Sequence, residues 1–309
     1  MKYPVLDGHC DTAVELWRKG ESLAKNSGQI SLAQAAEFPA YVQFFAFCTV
    51  WIKNAQTDEE RFASAMAYFS EQLREHNIPL CRTSADVSAI LQNGGVGAAL
   101  SIEGAEAFDC DPGRLEELAA RGVRMIAPVW NAENALAGSC MTGGGLTAQG
   151  REFVRRAQRA GILVDVSHSS ERTFWDICEI AEKPIVASHS NAKAVCGHVR
   201  NLTDEQFRAI CDLGGTAGLN LYAPFLNASG HASMDDVRRH LEHFLEQDGD
   251  GHLALGGDLD GCDVLPDGMH GLRDYALLET NFENWGFGEQ IVRNLFYQSL
   301  EKVVKLCIM

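Results

Sequence analysis

Residues 162–189, ILVDVSHSSERTFWDICEIAEKPIVASH, contain one complete strand–helix–strand unit. The short apolar runs 162–167 and 184–188 predict buried strands, and segment 171–182 between them has the 3.6-residue apolar period of a helix. Ser170 directly precedes that segment and is a residue type that caps helix N-termini. A strand, a helix and a second strand in this order indicate a parallel sheet covered by helices.

The same alternation continues in both directions along the chain. Further apolar runs predict strands at residues 4–9, 41–48, 96–102, 124–130, 215–221 and 252–257. Helical periodicity lies between them, at residues 57–76, 84–92, 113–121, 147–160, 203–213 and 233–246, with a last segment near 287–305. Eight such units predict an α/β fold of the (β/α)8 TIM-barrel type, with residues 1–309 forming a single domain. An open, doubly wound sheet is the alternative, because periodicity does not show whether a sheet closes.

The composition excludes several classes of protein. The chain has 26 Lys+Arg against 42 Asp+Glu, a formal net charge of −16, and such an acidic surface repels polyanions, so no nucleic-acid partner is expected. There is no run of about 18 apolar residues, so no membrane span is expected. The N-terminal stretch MKYPVLDGHCDT lacks the apolar core of a secretory signal, and the ten cysteines form no C-x-x-C pair. We therefore expect a cytoplasmic protein with reduced cysteines.

Side chains that can bind metal ions follow five of the predicted strands. They are His9, Asp11, Glu103, His168, His189, Asp258 and Asp260. In a barrel the carboxyl ends of the strands converge on one mouth, where the active sites of this architecture lie. Burying so many charges together costs several kcal/mol per ion unless cations compensate them. Imidazole and carboxylate ligands suit Zn²⁺ and, less tightly, Mn²⁺ or Co²⁺, so the pattern predicts a metal centre at the mouth.

Seven short blocks carry a resemblance to a known family. They are D-G-H-C-D at 7–11, I-E-G at 102–104, G-V-R at 122–124, D-V-S-H at 165–168, S-H-S-N-A at 188–192, V-C-G-H-V-R-N-L at 195–202 and G-G-D-L-D-G at 256–261. In this order they resemble the membrane dipeptidase family, peptidase family M19, which includes renal dipeptidase and bacterial members. The resemblance implies a metallo-exopeptidase that hydrolyses free dipeptides, some with a D-residue at the carboxyl side, and that often forms a homodimer.

The resemblance also implies two zinc ions per chain. The matches to His9 and Asp11 hold the first ion. The matches to His168 and His189 hold the second, and the match to Glu103 bridges both. A hydroxide between the ions is then the nucleophile, because two zinc ions lower the pKa of water far enough to ionise it near neutrality.

Further residues match positions that handle the substrate. Asp258 matches the carboxylate that takes a proton from the attacking water and delivers it to the leaving amine. Arg200 matches the arginine that holds the free carboxylate of the dipeptide, which a guanidinium can bind through two parallel hydrogen bonds. Tyr222 matches a pocket tyrosine. Trp130 is a departure, because mammalian members carry a His at the end of the fourth strand; either zinc alone polarises the carbonyl, or another donor such as Asn131 contributes.

Two other functions remain open at this point. The chain could be another binuclear metal hydrolase, acting on amides or lactones, but such enzymes usually carry H-x-H after the first strand and often use a carboxylated Lys as the bridge. The H-x-D of residues 9–11 and the carboxylate of Glu103 favour the dipeptidase. The other alternative is a barrel that binds metal or small peptides without turnover.

Overall fold

Eight parallel strands form one sheet in the computed structural model, which describes residues 1–308. They are β1 (Val5–Cys10), β2 (Ala40–Phe47), β3 (Gly95–Glu103), β4 (Val123–Ala127), β5 (Leu163–Val164), β6 (Val186–Ala187), β7 (Thr216–Leu219) and β8 (Leu253–Leu255). The order in the sheet is β5-β4-β3-β2-β1-β8-β7-β6. Its two ends meet where Asp165 forms a parallel bridge with Val186 and the amide of Val166 donates to the carbonyl of Val186 at 2.8 Å. The sheet is therefore a nearly closed barrel, and the predicted fold is confirmed.

Helices lie between successive strands and after the last one. They are α1 (Thr12–Lys19), α2 (Leu32–Ala35), α3 (Asp58–Glu75), α4 (Ser84–Asn93), α5 (Leu115–Ala120), α6 (Ala148–Arg159), α7 (Glu171–Ile180), α8 (Asp204–Asp212), α9 (Ala223–Leu226), α10 (Met234–Leu245), α11 (Tyr275–Asn284), α12 (Glu289–Arg293) and α13 (Ser299–Cys307). Short 3-10 turns lie at Ala105–Phe108, Pro112–Arg114 and Leu272–Asp274, and a π turn lies at Asn294–Gln298. None of the helices in residues 1–308 combines the length and the apolar character that crossing a lipid bilayer requires.

Local sequence explains where many elements begin. β1 and β2 are buried along their whole length, and the sequence of β2 is accordingly a near-continuous apolar run. The hydroxyl of Ser170 accepts a hydrogen bond from the amide of Thr173 and caps α7, as predicted. Thr203 and Gln206 form a reciprocal capping box at the start of α8. Caps of this kind contribute about 1 kcal/mol each and fix the first turn of a helix.

The predicted and observed elements differ mainly in length and in the short helices. β5 and β6 are two residues long, shorter than the predicted runs, because the chain turns away from the ladder before the run of buried residues ends. The predicted segment 287–305 is divided into α12 and α13 by the π turn. Four helices, α1, α2, α9 and α11, were not predicted. α2 and α9 have only four residues each, too few to show a helical period.

Candidate functional site

A cavity of about 540 Å³ opens at the carboxyl ends of the strands. This volume lies within the range of roughly 300–1,000 Å³ that is usual for small-molecule sites. The predicted site residues that line it are Asp11, Glu103, Trp130, Asn131, His168, His189, Arg200, Tyr222 and Asp258. His9 lies behind this lining with only 2% of its surface exposed. The structure therefore brings the predicted residues together at one mouth.

The ends of the strands place the candidate ligands. His9 lies near the end of β1, Glu103 is the last residue of β3, and Asp11 directly precedes α1. Asp258 follows β8 in the left-handed backbone region, with a φ of 56°. Gly261 approaches so closely that a Cβ atom there would collide with the carboxylates of Asp11 and Asp258. The last glycine of the block G-G-D-L-D-G, Gly261, thus leaves room for these two carboxylates.

Glu103 lies at the centre of the candidate ligands. Its Oε1 atom is 2.7 Å from Nε2 of His168 and 3.4 Å from Nε2 of His189. Its Oε2 atom is 3.8 Å from Nε2 of His9. The two facing nitrogens of His168 and His189 are 3.2 Å apart. The carboxylate therefore presents one oxygen to His9 and the other to the pair His168 and His189, which is the geometry of a bridging ligand.

The second group of ligands surrounds His9. Its Nε2 atom is 3.7 Å from Oδ2 of Asp11 and 3.8 Å from Oδ1 of Asp258. Neither this nitrogen nor Oε1 of Glu103 has a hydrogen-bond partner with acceptable geometry among residues 1–308, although both atoms are buried. Buried polar atoms nearly always have a partner. The potential ligand atoms form two sets, within each of which all atoms lie within 4.8 Å of one another, and His9 belongs to both sets. Convergent ligand atoms of this kind, two of them buried without a partner, fit metal ions.

Hydrogen bonds behind two of the imidazoles select their tautomers. Nδ1 of His168 lies 3.0 Å from the amide oxygen of Asn131, so Nδ1 carries the hydrogen. Nδ1 of His189 lies 2.7 Å from the hydroxyl of Ser188, and that hydroxyl donates to the carboxylate of Asp165. Ser188 has a single hydrogen to donate, so it accepts from Nδ1 of His189. Both rings therefore direct an Nε2 lone pair toward Glu103, which is the state a metal ligand requires.

The electrostatics of the acidic side agree with a site for cations. Burial lowers the pKa of His9, but the negative charges of Glu103 and Asp11 outweigh it and raise that pKa to about 10. Burial raises the pKa of Asp11 to about 7. The pKa of Glu103 is raised by burial but lowered further by the neighbouring imidazoles, and lies well below its usual value. Positive charge is thus strongly favoured between these carboxylates, as in a site that holds a metal dication.

Arg200 is a buried cation beside the imidazoles. It is 5% exposed, and its Nη2 atom lies 2.9 Å from Nε2 of His168. Burial, and next the positive charge of Arg200, lower the pKa of His168 to about 4, so that ring is neutral near pH 7. The Nη1 atom of Arg200 has no hydrogen-bond partner within the described part of the chain. The guanidinium can therefore still bind an anion that enters the cavity.

The two acidic residues after β8 have different surroundings. Oδ2 of Asp258 accepts a hydrogen bond from Asn220 at 3.0 Å, and Oδ1 faces His9. Burial raises the pKa of Asp258. Asp260 instead accepts from the hydroxyl of Thr12 and from the amide of Gln29, both at 2.6 Å. Asp260 thus ties the loop around residue 29 to the start of α1, which is a structural role.

Three predicted substrate residues lie on the cavity wall. Tyr222 packs edge-on against Phe225, with ring centroids 4.9 Å apart. The ring centroid of Trp130 is 6.3 Å from that of His168. Asn131 lines the cavity, but its amide oxygen faces Nδ1 of His168. The geometry of Asn131 therefore indicates that it orients an imidazole, and that its oxygen does not face the substrate.

Sequence reasoning did not single out two buried carboxylates that support the site. Asp7 is 1% exposed; it accepts hydrogen bonds from the amide of His9 at 2.9 Å, from Tyr275 at 2.6 Å and from the amide of Gly257 at 3.1 Å. It therefore links the end of β1 to the segment after β8. Asp165 likewise links the segment after β5 to the segment after β6 through its hydrogen bonds with Ser188. A charged residue inside an otherwise apolar run, as in V-L-D-G-H, is the signal that could have identified both.

Comparisons with known proteins agree with this geometry. The family model described as membrane dipeptidase (Peptidase family M19) matches residues 1–307. A metallo peptidase from Rhodobacter sphaeroides, solved with a phosphinate mimic of the dipeptide L-Ala-D-Ala, has a TM-score of 0.89 and 27% identity, over 99% of each chain. The dipeptidase AC of family M19 has a TM-score of 0.90 and 28% identity, over 100% of this chain and 99% of its own. An uncharacterised protein of the pqqA 5' region of Klebsiella pneumoniae is 35% identical over 250 residues, 76% of this chain and 92% of its own.

These matches confirm the resemblance carried by the seven blocks. The family model covers nearly the whole chain, and the two solved relatives share its barrel from end to end. The cavity contains candidate metal-ligand groups, as a metallopeptidase requires. The chain is therefore a member of the membrane dipeptidase family, the M19 family of metallo-dipeptidases.

Proposed function

We propose that this protein is a zinc-dependent exopeptidase that hydrolyses the peptide bond of free dipeptides. The observation that carries the proposal is the position of Glu103, whose two carboxylate oxygens face His9 on one side and the pair His168 and His189 on the other. This arrangement is suited to two cations held side by side. The reaction class is inferred from family membership, and the preference for zinc is inferred from the types of donor atom.

The proposed ligands divide into two groups around the bridge. His9 and Asp11 would hold one ion, and His168 and His189 would hold the other, with Glu103 contributing to both. Nitrogen and carboxylate donors without a thiolate suit Zn²⁺, with Mn²⁺ or Co²⁺ as weaker substitutes. When bound, two such ions acidify the attacking water and polarise the scissile carbonyl.

The remaining groups would handle protons and the substrate. Asp258 is buried beside His9 and has a raised pKa, so we assign it the transfer of a proton from the attacking water to the leaving amine. Arg200 would bind the free carboxylate of the dipeptide through its unpartnered N–H groups. A longer peptide has no carboxylate at that distance from the scissile bond, which restricts the enzyme to dipeptides. Tyr222 and Trp130 would form walls of the substrate cavity.

We also propose that the enzyme accepts a D-residue at the carboxyl side of the dipeptide. The support comes from the Rhodobacter sphaeroides relative, which was solved with a mimic of L-Ala-D-Ala and whose barrel matches along 99% of this chain. Recognition of a carboxylate by a guanidinium does not depend on the configuration of the neighbouring carbon, so Arg200 can serve either form.

Amino-acid release from a panel of L,L- and L,D-dipeptides, with zinc restored to the purified protein, tests this function. We expect hydrolysis by the wild type, and loss of hydrolysis in Asp258→Asn with the metal retained. Asp235→Asn, at an exposed position on α10, is the matched control and should keep wild-type activity. The proposal fails if zinc-loaded wild-type protein releases no amino acid from any dipeptide of the panel.

A further inference from the structure

The wall of the cavity across from Arg200 is apolar. Arg200 lies in the segment after β6, whereas Cys48 and Trp51 follow β2. In a ring of eight strands, β2 and β6 are opposite one another, so these residues face Arg200 across the mouth. Val14 of α1 adds aliphatic surface to the lining on the adjacent β1 side, and Trp130 after β4 adds aromatic surface between the two sides. One side of the cavity thus presents a cation, and the other presents aromatic and aliphatic surface.

The carboxylate nearest to this wall is already paired with cations. Glu15 lines the cavity, but its carboxylate pairs with Arg18 at 2.7 Å and with Lys19 at 3.1 Å. The guanidinium of Arg18 also lies over the ring of Trp51, 6.0 Å from its centroid. The wall therefore offers no unpaired carboxylate to a cationic side chain of the substrate, and burying any charged side chain there costs solvation energy.

The proposed function fixes the direction in which a dipeptide crosses the cavity. Its carboxylate binds Arg200, and its scissile carbonyl lies at the group of ligands around Glu103. The amino-terminal residue must then extend toward the β2 side of the mouth. Trp51 is 40% exposed there, which leaves much of the indole available for contact.

We propose that the enzyme prefers dipeptides whose amino-terminal residue carries a large apolar side chain, and that Trp51 is the main residue that selects it. This inference rests on the proposed function and specifies its substrate class. Burying a leucine or phenylalanine side chain against the wall removes apolar surface from water. Differences of this kind in an apolar pocket change kcat/KM by about 10- to 100-fold.

A series of X-Ala dipeptides, with X as Ala, Leu, Phe, Asp or Lys, tests the preference on the zinc-loaded protein. We expect kcat/KM for Leu-Ala and Phe-Ala to exceed that for Ala-Ala by about tenfold or more, with Asp-Ala and Lys-Ala below Ala-Ala. In Trp51→Ala, the ratio of kcat/KM for Phe-Ala to that for Ala-Ala should fall about tenfold. The ratio for Ala-Phe to Ala-Ala should stay at the wild-type value, because that phenyl group lies on the other side of the scissile bond.

Trp175→Ala is the matched control. Trp175 is also 40% exposed, but it lies on α7 outside the cavity lining, so both ratios should remain at the wild-type values. The inference is overturned if Ala-Ala, Asp-Ala or Lys-Ala is the best substrate, or if Trp51→Ala leaves the Phe-Ala to Ala-Ala ratio unchanged. Hydrolysis of the series without the expected preference overturns this inference alone. If no dipeptide is hydrolysed, the proposed function fails and this inference fails with it.

Discussion

The amide oxygen of Asn131 lies 3.0 Å from Nδ1 of His168. An oxygen can only accept at this position, so the contact holds the hydrogen on Nδ1 and leaves a lone pair on Nε2, which faces Arg200 here and can bind a metal ion instead. We expect Asn131→Ala to weaken zinc binding by about 10- to 100-fold, because the ring loses both its orientation and its preferred tautomer. Competition with a zinc chelator measures the change.

Asn284→Ala, at an exposed position at the end of α11, is the control for this substitution and should bind zinc as the wild type does. Equal zinc affinity in Asn131→Ala and the wild type would contradict the role assigned to the amide oxygen.

The Ser188 hydroxyl joins Asp165 to His189 at the point where the barrel closes. Ser188→Ala leaves an oxygen of a buried carboxylate without its donor, which costs roughly 1–3 kcal/mol of the free energy of unfolding. Urea unfolding of the metal-free protein measures this loss separately from metal binding. Ser188→Thr keeps the hydroxyl and should recover most of the stability. Equal stability of Ser188→Ala and the wild type would show that the contact contributes nothing.

Recognition of the substrate carboxylate by Arg200 predicts discrimination against amidated dipeptides. The wild type should hydrolyse Leu-Ala with a kcat/KM at least about tenfold higher than Leu-Ala amide, because a charge-assisted hydrogen bond contributes roughly 1.5–3 kcal/mol. In Arg200→Ala the activity on Leu-Ala should fall and the discrimination should disappear. Comparison of the two substrates on both proteins is the measurement. Equal rates on acid and amide by the wild type would refute the assignment.

His240 makes the stability of the fold depend on pH. The ring is fully buried; Nδ1 accepts from the amide of Ala192 at 3.1 Å, and Nε2 donates to the carbonyl of Leu226 at 3.0 Å. Burial lowers the pKa of His240 to about 4, against about 6.5 in an unfolded chain. The unfolded state therefore binds a proton first as the pH falls. The contribution of the neutral His240 ring to the free energy of unfolding is therefore fully present above about pH 6.5. Roughly 3 kcal/mol of that free energy is lost by about pH 4.

Urea unfolding of the metal-free protein between about pH 7 and pH 4.5 measures this dependence. His240→Asn has no group that titrates in this window, so its stability should fall less steeply with pH than that of the wild type. Parallel curves for the two proteins would contradict the prediction. Other buried groups titrate as well, and they affect both proteins alike.

The strands could be predicted from the sequence because burial on both faces of the sheet leaves short apolar runs. Most of the helices could be predicted because one buried face gives an apolar period of 3.6 residues. α1 was not predicted, although it begins only two residues after β1. The number of units predicted a closed barrel, but an open sheet remained the alternative, because closure depends on contacts such as the bridge between Asp165 and Val186. Periodicity describes each segment alone and carries no information about how the ends of a sheet meet.

The candidate ligands could be predicted because each one follows a strand, and strands end at a common mouth. The contacts behind them could not. Asn131 is 37 positions from His168 in the sequence, and Ser188 reaches Asp165 across the barrel seam. Nothing in the local pattern marks such partners. The apolar wall at Trp51 was likewise not predicted, because loop residues show no period that would place them in a cavity.

Titration of the metal-free protein with zinc, while the hydrolysis of Leu-Ala is followed, tests the central claim most directly. If Glu103 bridges two ions, activity is absent without zinc, rises with added metal and reaches a plateau at about two equivalents per chain. Glu103→Ala, which removes the ligand common to both groups, remains inactive throughout the same titration. Full activity of the metal-free wild type, or wild-type metal content and activity in Glu103→Ala, would contradict the account.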